Sequence, residues 1–187
     1  MTAEVTIPRR EKLFSALEEK EAIIIFAAEE EKWEKFKQDN DFLYVTGLQI
    51  PEAIYFGYKG QNGPVEMLFI ERSDPEKAIW TGPVMSSEEA SKKTGLSQDK
   101  IHYLDEFLAI LSVYCPVINK IWANIGIQAL NKPPTRQLFH LFPIRERYPN
   151  INNFTTIEQA DCGLLEMILS PINLNKAIQR YYSKLWQ

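Results

Sequence analysis

The sequence is poor in the residues that most often build metal sites and nucleophilic sites. Its 187 residues include two cysteines, Cys115 and Cys162, and two histidines, His102 and His140. Neither cysteine belongs to a CxxC pair, and neither histidine stands in an HExxH or HxxEH frame. We expect the histidines to be structural and the thiols to stay reduced, as buried side chains. This predicts a cytoplasmic protein.

Other patterns that identify a function class are also missing. The eight glycines are scattered, without a GxGxxG or GxxxxGK(S/T) phosphate loop or a GxSxG nucleophile elbow. The net charge of −4 gives no basic excess for nucleic acid phosphates. The longest purely apolar run, residues 22–28, is far shorter than the ~20 residues that span a bilayer. We therefore predict that neither a nucleic acid nor a membrane is a partner.

What is present is an alternation of short apolar segments with amphipathic ones. Residues 22–26 are continuously apolar and β-branched, which predicts a strand buried on both faces at the centre of an α/β sheet. Pro8 is typical of the first turn of a helix. Residues 42–46 and 53–58 are predicted strands, and residues 65–70 are the return strand of a hairpin after the turn KGQNGP.

The second half continues the alternation. Ser86 and Glu89 have the spacing of a capping box at a helix start. Residues 101–103 and 120–127 are predicted strands, and residues 104–111 carry apolar side chains at helical spacing.

Towards the end, residues 137–147 are a predicted helix, residues 151–154 a strand, and residues 171–187 a helix with an apolar stripe. Together these patterns predict an α/β domain with a mixed β-sheet flanked by helices. By themselves they reveal no active site.

Two stretches resemble a known family. Residues 36–48, FKQDNDFLYVTGL, are followed by PEA at 51–53, which is similar to the RQxSDFxYLTGFxEPEA signature of the aminopeptidase P N-terminal domain, in the creatinase/prolidase superfamily. Residues 74–83, DPEKAIWTGP, resemble that domain's RDPExExWDGP segment. The segments RERYP at 145–149 and LLEMILSP at 164–171 are similar to the end of the domain and its linker. The linker lacks the family's Arg and Lys before Ser170.

The resemblance implies a ribonuclease-H-like mixed sheet over residues 1–169. Residues 170–187 would then be a linker helix leading to an absent pita-bread catalytic domain. That domain would bind two divalent metals, manganese in this family, and remove an N-terminal residue that precedes proline. No metal or other cofactor is expected in this chain. We expect no hydrolysis by the chain alone, although the parent protein would be an enzyme.

The resemblance also implies roles for particular residues. The family's N-terminal domain builds oligomer contacts and walls the catalytic cleft. By motif position, Asn40, Asp41 and Trp80 would lie on the substrate side. An aspartate can hold a peptide's N-terminal ammonium, and a tryptophan can stack on a proline ring. The expected partners are therefore the chain's own catalytic domain, a second copy of the chain and proline-containing peptides.

Other interpretations remain open from the sequence. Asp41 could instead cap a turn, and Trp80 could belong to the core. The same fold could serve as a stand-alone peptide- or protein-binding module without peptidase activity, or belong to a prolidase. An acidic cluster of Asp41, Asp74 and Asp105 would suggest a nuclease of ribonuclease-H type, which the net charge disfavours.

Overall fold

The architecture is a seven-stranded mixed sheet with helices on both faces. The computed structural model describes residues 3–30, 35–73, 84–123, 141, 143–144, 146–148, 151, 153–157 and 169–170. The described helices are α1 (Ala3–Ala16), α2 (Asn40–Thr46), α3 (Ser87–Thr94) and α4 (Phe107–Tyr114). The strands are β1 (Glu21–Phe26), β2 (Ile54–Gly60), β3 (Gly63–Ile70), β4 (Ile101–Tyr103), β5 (Lys120–Ala123), β6 (Asn153–Ile157) and β7 (Leu169–Ser170). Single 3-10 turns precede β4, precede α4 and follow α4.

The strand order is β4-β3-β2-β1-β5-β6-β7. Strands β1, β3, β4, β5 and β6 point the same way, whereas β2 and β7 run against them. The carboxyl ends of five strands therefore meet at one edge of the sheet, where open α/β sheets most often bind ligands. The predicted mixed α/β sheet is confirmed.

Strand β1 lies between β2 and β5, and all six of its residues are buried. Its side chains alternate between two cores, with Ile24 on one face of the sheet and Ile23 and Ile25 on the other. The continuous apolar run arises because both faces are covered, as predicted.

The first core lies between the sheet and α4, with Phe107 and Leu111 of that helix packed against it. The second core lies under α1, α2 and α3. Helix α1 approaches β2 so closely that a Cβ on Gly57 would lie 2.9 Å from the Cζ atom of Phe14. The crossing therefore accommodates glycine, which has no Cβ, at position 57.

The predicted strand at residues 42–46 is wrong, because this segment forms α2. The Asp39 side chain accepts hydrogen bonds from the first backbone amides of the helix. Gly47, with a φ of 73°, ends it by donating to the carbonyl of Leu43. Phe42 and Val45, three residues apart, are both buried, which is a helical period. Strand propensity of aromatic and β-branched residues is overridden here by capping and tertiary packing.

The start of α1 also differs from the prediction. The helix begins at Ala3, so Pro8 lies inside it and not in its first turn. Proline at this position removes the one hydrogen bond that its amide would give to Glu4, and the exposed ring faces solvent. The buried Thr6 fixes this early part of the helix by donating to the carbonyls of Ala3 and Thr94.

Most other predicted elements are confirmed. The β2–β3 hairpin closes with Gly60 opposite Gly63. Ser86 and Glu89 form the predicted capping box of α3. The strand predicted at 120–127 is present as β5 up to Ala123, and the strand predicted at 151–154 is present as β6, which begins at Asn153. Strand β7 was not predicted. The described positions from 141 to 147 are helical, in line with the helix predicted there.

Cys115 is buried as predicted, and burial raises the pKa of its thiol to about 11. Cys162, His140 and the tail at 171–187 lie outside the described residues. Within the described part of the chain, no helix has the length and apolarity needed to cross a membrane.

Candidate functional site

Helix α2 stands at the carboxyl end of the central strand. After β1 the chain continues through Ala27 and Ala28, whose backbone groups pair with those of Ala53 and Glu52 at 2.8 and 3.0 Å. It then returns to this edge at Gln38, just before α2. The first motif of the sequence thus lies at the edge where the carboxyl ends of the parallel strands meet.

The loop before α2 is held by the side chain of Gln38, which is buried. Its Oε1 atom accepts hydrogen bonds from the backbone amides of Ala28 and Asp39, at 2.8 and 2.9 Å. Its Nε2 atom donates to the carbonyls of Leu48 and Ile50, at 3.3 and 2.7 Å. The amide therefore links the end of β1, the entry to α2 and the exit from α2.

The first turn of α2 is capped by Asp39. Its Oδ1 atom accepts from the backbone amides of Asp41 and Phe42, at 2.9 and 3.2 Å. An aspartate N-cap satisfies amides that have no partner within the helix. Asn40, the first residue of the helix, is exposed, and Asp41 points into the protein.

Asp41 is the most unusual group at this site. Only 5% of the residue is exposed. No described residue donates a hydrogen bond to its carboxylate, and none forms an ion pair with it. Burial raises the pKa of this carboxyl to about 7, and the nearby charge of Asp39 adds to the rise. A buried carboxylate in this state gains strongly from a cationic partner such as a protonated amine or a guanidinium.

The other end of α2 is held by two arginines of α1. Arg9 donates to the carbonyl of Tyr44 at 3.2 Å, and its guanidinium lies 4.2 Å from the centre of the Tyr44 ring. Arg10 donates to the carbonyl of Val45 at 3.3 Å. Positive charge at the last carbonyls also favours the helix dipole.

Arg10 is buried and links further elements. It donates to the carbonyl of Thr94, the last residue of α3, at 3.0 Å. Its Nε atom lies 2.7 Å from a carboxylate oxygen of Glu66 in β3, which also accepts a hydrogen bond from the Tyr55 hydroxyl at 2.8 Å. Helix α2 is therefore fixed at both ends, as a site on a rigid element requires.

Two of the three acidic residues of the nuclease hypothesis are described, and their surroundings differ, because Asp41 is buried and Asp105 is exposed. Asp105, on the largely exposed turn after β4, pairs with Arg72 at 3.3 Å. Asp74 and the predicted substrate-side Trp80 lie outside the described residues. In the part of the chain that the structure describes, no three His, Cys, Asp or Glu side chains gather as metal ligands would.

Sequence reasoning missed Gln38 and Arg10. Both are polar residues whose importance comes from burial and from distant partners, such as Thr94 for Arg10. The local pattern around Arg10 only indicated a charged helix start. His102, by contrast, packs against the ring of Phe69 with centroids 5.6 Å apart, as a structural histidine would.

Comparison with known proteins identifies the family. The family model for the N-terminal domain of aminopeptidase P matches residues 6–120, which include α2 and its capping loop. The chain belongs to the aminopeptidase P N-terminal domain family.

Two relatives of the chain are named Xaa-Pro aminopeptidase 3. Xaa-Pro aminopeptidase 3 of Homo sapiens is 34% identical over 147 residues, and the protein of that name in Mus musculus is 29% identical over the same length. Each alignment covers 75% of this chain and 28% of the relative. The chain therefore spans less than a third of the length of these relatives.

Solved structures agree in fold. A Bacillus anthracis structure assigned to aminopeptidase P superposes with a TM-score of 0.75 at 29% identity, covering 84% of this chain and 38% of that one. Escherichia coli aminopeptidase P with the inhibitor Pro-Leu gives a TM-score of 0.61 at 24% identity, covering 69% and 30%. The second likeness concerns the fold alone.

Proposed function

We propose that this chain is the non-catalytic N-terminal domain of a metal-dependent Xaa-Pro aminopeptidase, which removes an N-terminal residue preceding proline. Family membership over residues 6–120 supports the assignment. The observation that carries a role at the substrate is Asp41, a buried carboxylate without a cationic partner among the described residues. A buried acid that has no cation among the described residues costs folding free energy in the absence of one, so its presence at the carboxyl edge of the sheet favours a function.

In this proposal Asp41 binds the N-terminal ammonium of the peptide by a charge-assisted hydrogen bond. Asn40, exposed beside it on the first turn of α2, offers amide hydrogen bonds to the peptide backbone. Trp80 stacks on the proline ring from the second motif. Because α2 is fixed at both ends, the ammonium site would be rigid before the peptide arrives.

The bond-breaking chemistry would lie in the remainder of the polypeptide. There, two divalent metals, which we propose to be manganese, would activate a water for attack on the peptide carbonyl. The described residues supply no cluster for such ions, so we assign them no metal-dependent step. Residues 1–169 would form the domain and residues 170–187 the linker helix. We further propose a cytoplasmic homo-oligomer in which this domain contacts the catalytic domain.

The test is the size and activity of the native protein. An antibody against this chain should detect, in extract of the source cells, a polypeptide about twice 21.7 kDa or larger. The immunopurified protein should release the first residue of an Ala-Pro peptide when manganese is added, and should leave an Ala-Ala peptide intact. A 21.7 kDa band without hydrolysis would contradict the proposal and favour a stand-alone binding module.

A further inference from the structure

The amide of Gln38 uses its whole hydrogen-bonding capacity within one small region. An amide oxygen has two lone pairs and an amide nitrogen has two N–H groups. Here the oxygen accepts from two backbone amides and the nitrogen donates to two backbone carbonyls. Such complete satisfaction of a buried polar side chain makes the local structure specific.

The four partners lie outside the helices and strands, on either side of α2 and at the end of β1. Ala28 follows β1, Asp39 caps α2, and Leu48 and Ile50 follow α2. The side chain thus fixes both ends of the α2 segment to the end of the central strand. Asp41 lies three residues beyond Gln38, and Asp39 connects the two. The backbone amide of Asp39 donates to the Gln38 side chain, and its Oδ1 atom accepts from the backbone amide of Asp41.

We infer that Gln38 is a positioning residue, whose buried amide holds the loop before α2 so that Asp41 stays shielded from water and aimed at the substrate. The inference rests on the proposed function for its last step. Gln38 would not touch the peptide, and it would act only through the placement of Asp39 and Asp41. No other common side chain of this length offers two acceptor sites and two donors together.

The first test measures the pKa of the Asp41 carboxyl by carbon NMR, in the wild-type chain and in Gln38→Met. Methionine keeps the size of the side chain and removes all four hydrogen bonds. We expect the carboxyl pKa to fall by at least one unit from its wild-type value of about 7, because water reaches Asp41 when the loop is released. Gln38→Asn, which keeps the amide but is too short for all four partners, should give a smaller fall.

The control is Tyr55→Phe, which removes the hydroxyl that donates to Glu66 and leaves the entry to α2 unchanged. It should lower the melting temperature without moving the pKa of Asp41. If Gln38→Met lowers the melting temperature and the pKa of Asp41 stays at its wild-type value, Gln38 is merely structural and the inference is wrong. If Gln38→Met does not fold, the same two quantities, the melting temperature and the pKa of Asp41, are compared between wild type and Gln38→Asn.

Peptide binding separates this inference from the proposed function. We expect Gln38→Met to weaken binding of an Ala-Pro peptide about tenfold or more. A lowered pKa of Asp41 with unchanged peptide affinity would leave the positioning of Asp41 intact and overturn its role in binding the substrate. An unchanged pKa would overturn the positioning role itself, whatever the affinity.

Discussion

Replacing Asp41 with asparagine is expected to raise the free energy of unfolding by about 4 kcal/mol at pH 8 and by almost nothing near pH 3. The folded-state pKa is about 7, against an ordinary value of 3.8. Below pH 3.8 both states carry the proton and the charge costs nothing. Between pH 3.8 and 7 the unfolded state releases the proton while the folded state keeps it, so stability falls as the pH rises.

Above pH 7 the buried carboxylate is ionised and its full cost is present. At about 1.4 kcal/mol per pKa unit, the rise to about 7 gives the expected 4 kcal/mol. Asparagine has the same shape and no charge, so it removes the cost. Urea denaturation of both proteins at pH values from 3 to 8 measures the difference. Asp105→Asn, at an exposed position, should change stability by less than about 1 kcal/mol. Equal stability of wild type and Asp41→Asn at pH 8 would contradict the description of Asp41.

Arg10→Ala should destabilise the fold by roughly 3 kcal/mol or more. The buried guanidinium pairs with Glu66 and donates hydrogen bonds to carbonyls at the ends of α2 and α3. Its removal leaves the carboxylate of Glu66 largely buried without its cation, and two helix ends without their donors.

The matched control is Arg72→Ala, which removes an ion pair with Asp105 in which both side chains are more than half exposed. Exposed pairs of this kind contribute about 0–1 kcal/mol. Chemical denaturation of both variants at pH 7 gives the comparison. If Arg10→Ala cost no more than Arg72→Ala, the network that fixes α2 would not exist in solution.

Both predictions concern the same helix and have opposite signs. Arg10 stabilises the placement of α2, whereas the charge of Asp41 opposes folding. Functional sites typically contain residues that lower the stability of the fold while their surroundings hold them in place.

The sheet could be predicted from sequence because its signals are local. The apolar run of β1 and the turn between β2 and β3 lie within a few residues, and both were confirmed. Helix α2 could not, since residues 42–46 have strand propensity and only the Asp39 cap and burial of one face make them helical. A seven-residue helix shows too little periodicity to overcome that signal.

The candidate site was predictable only in part. Asp41 was predicted as a site residue by resemblance to a family motif, not from its own chemistry. Its burial depends on the folding of the loop around Gln38, whose partners lie at both ends of α2. Arg10 reaches carbonyls 35 and 84 positions away in sequence. No local pattern contains such contacts.

The most direct measurement is the pKa of the Asp41 carboxyl, determined by carbon NMR with and without a saturating Ala-Pro peptide. Binding of the peptide ammonium should lower the carboxyl pKa from about 7 by at least one unit, because an adjacent positive charge stabilises the carboxylate. The same peptide with an acetylated N-terminus carries no ammonium and should leave the pKa unchanged. A pKa that does not respond to either peptide would contradict the proposal that Asp41 holds the substrate.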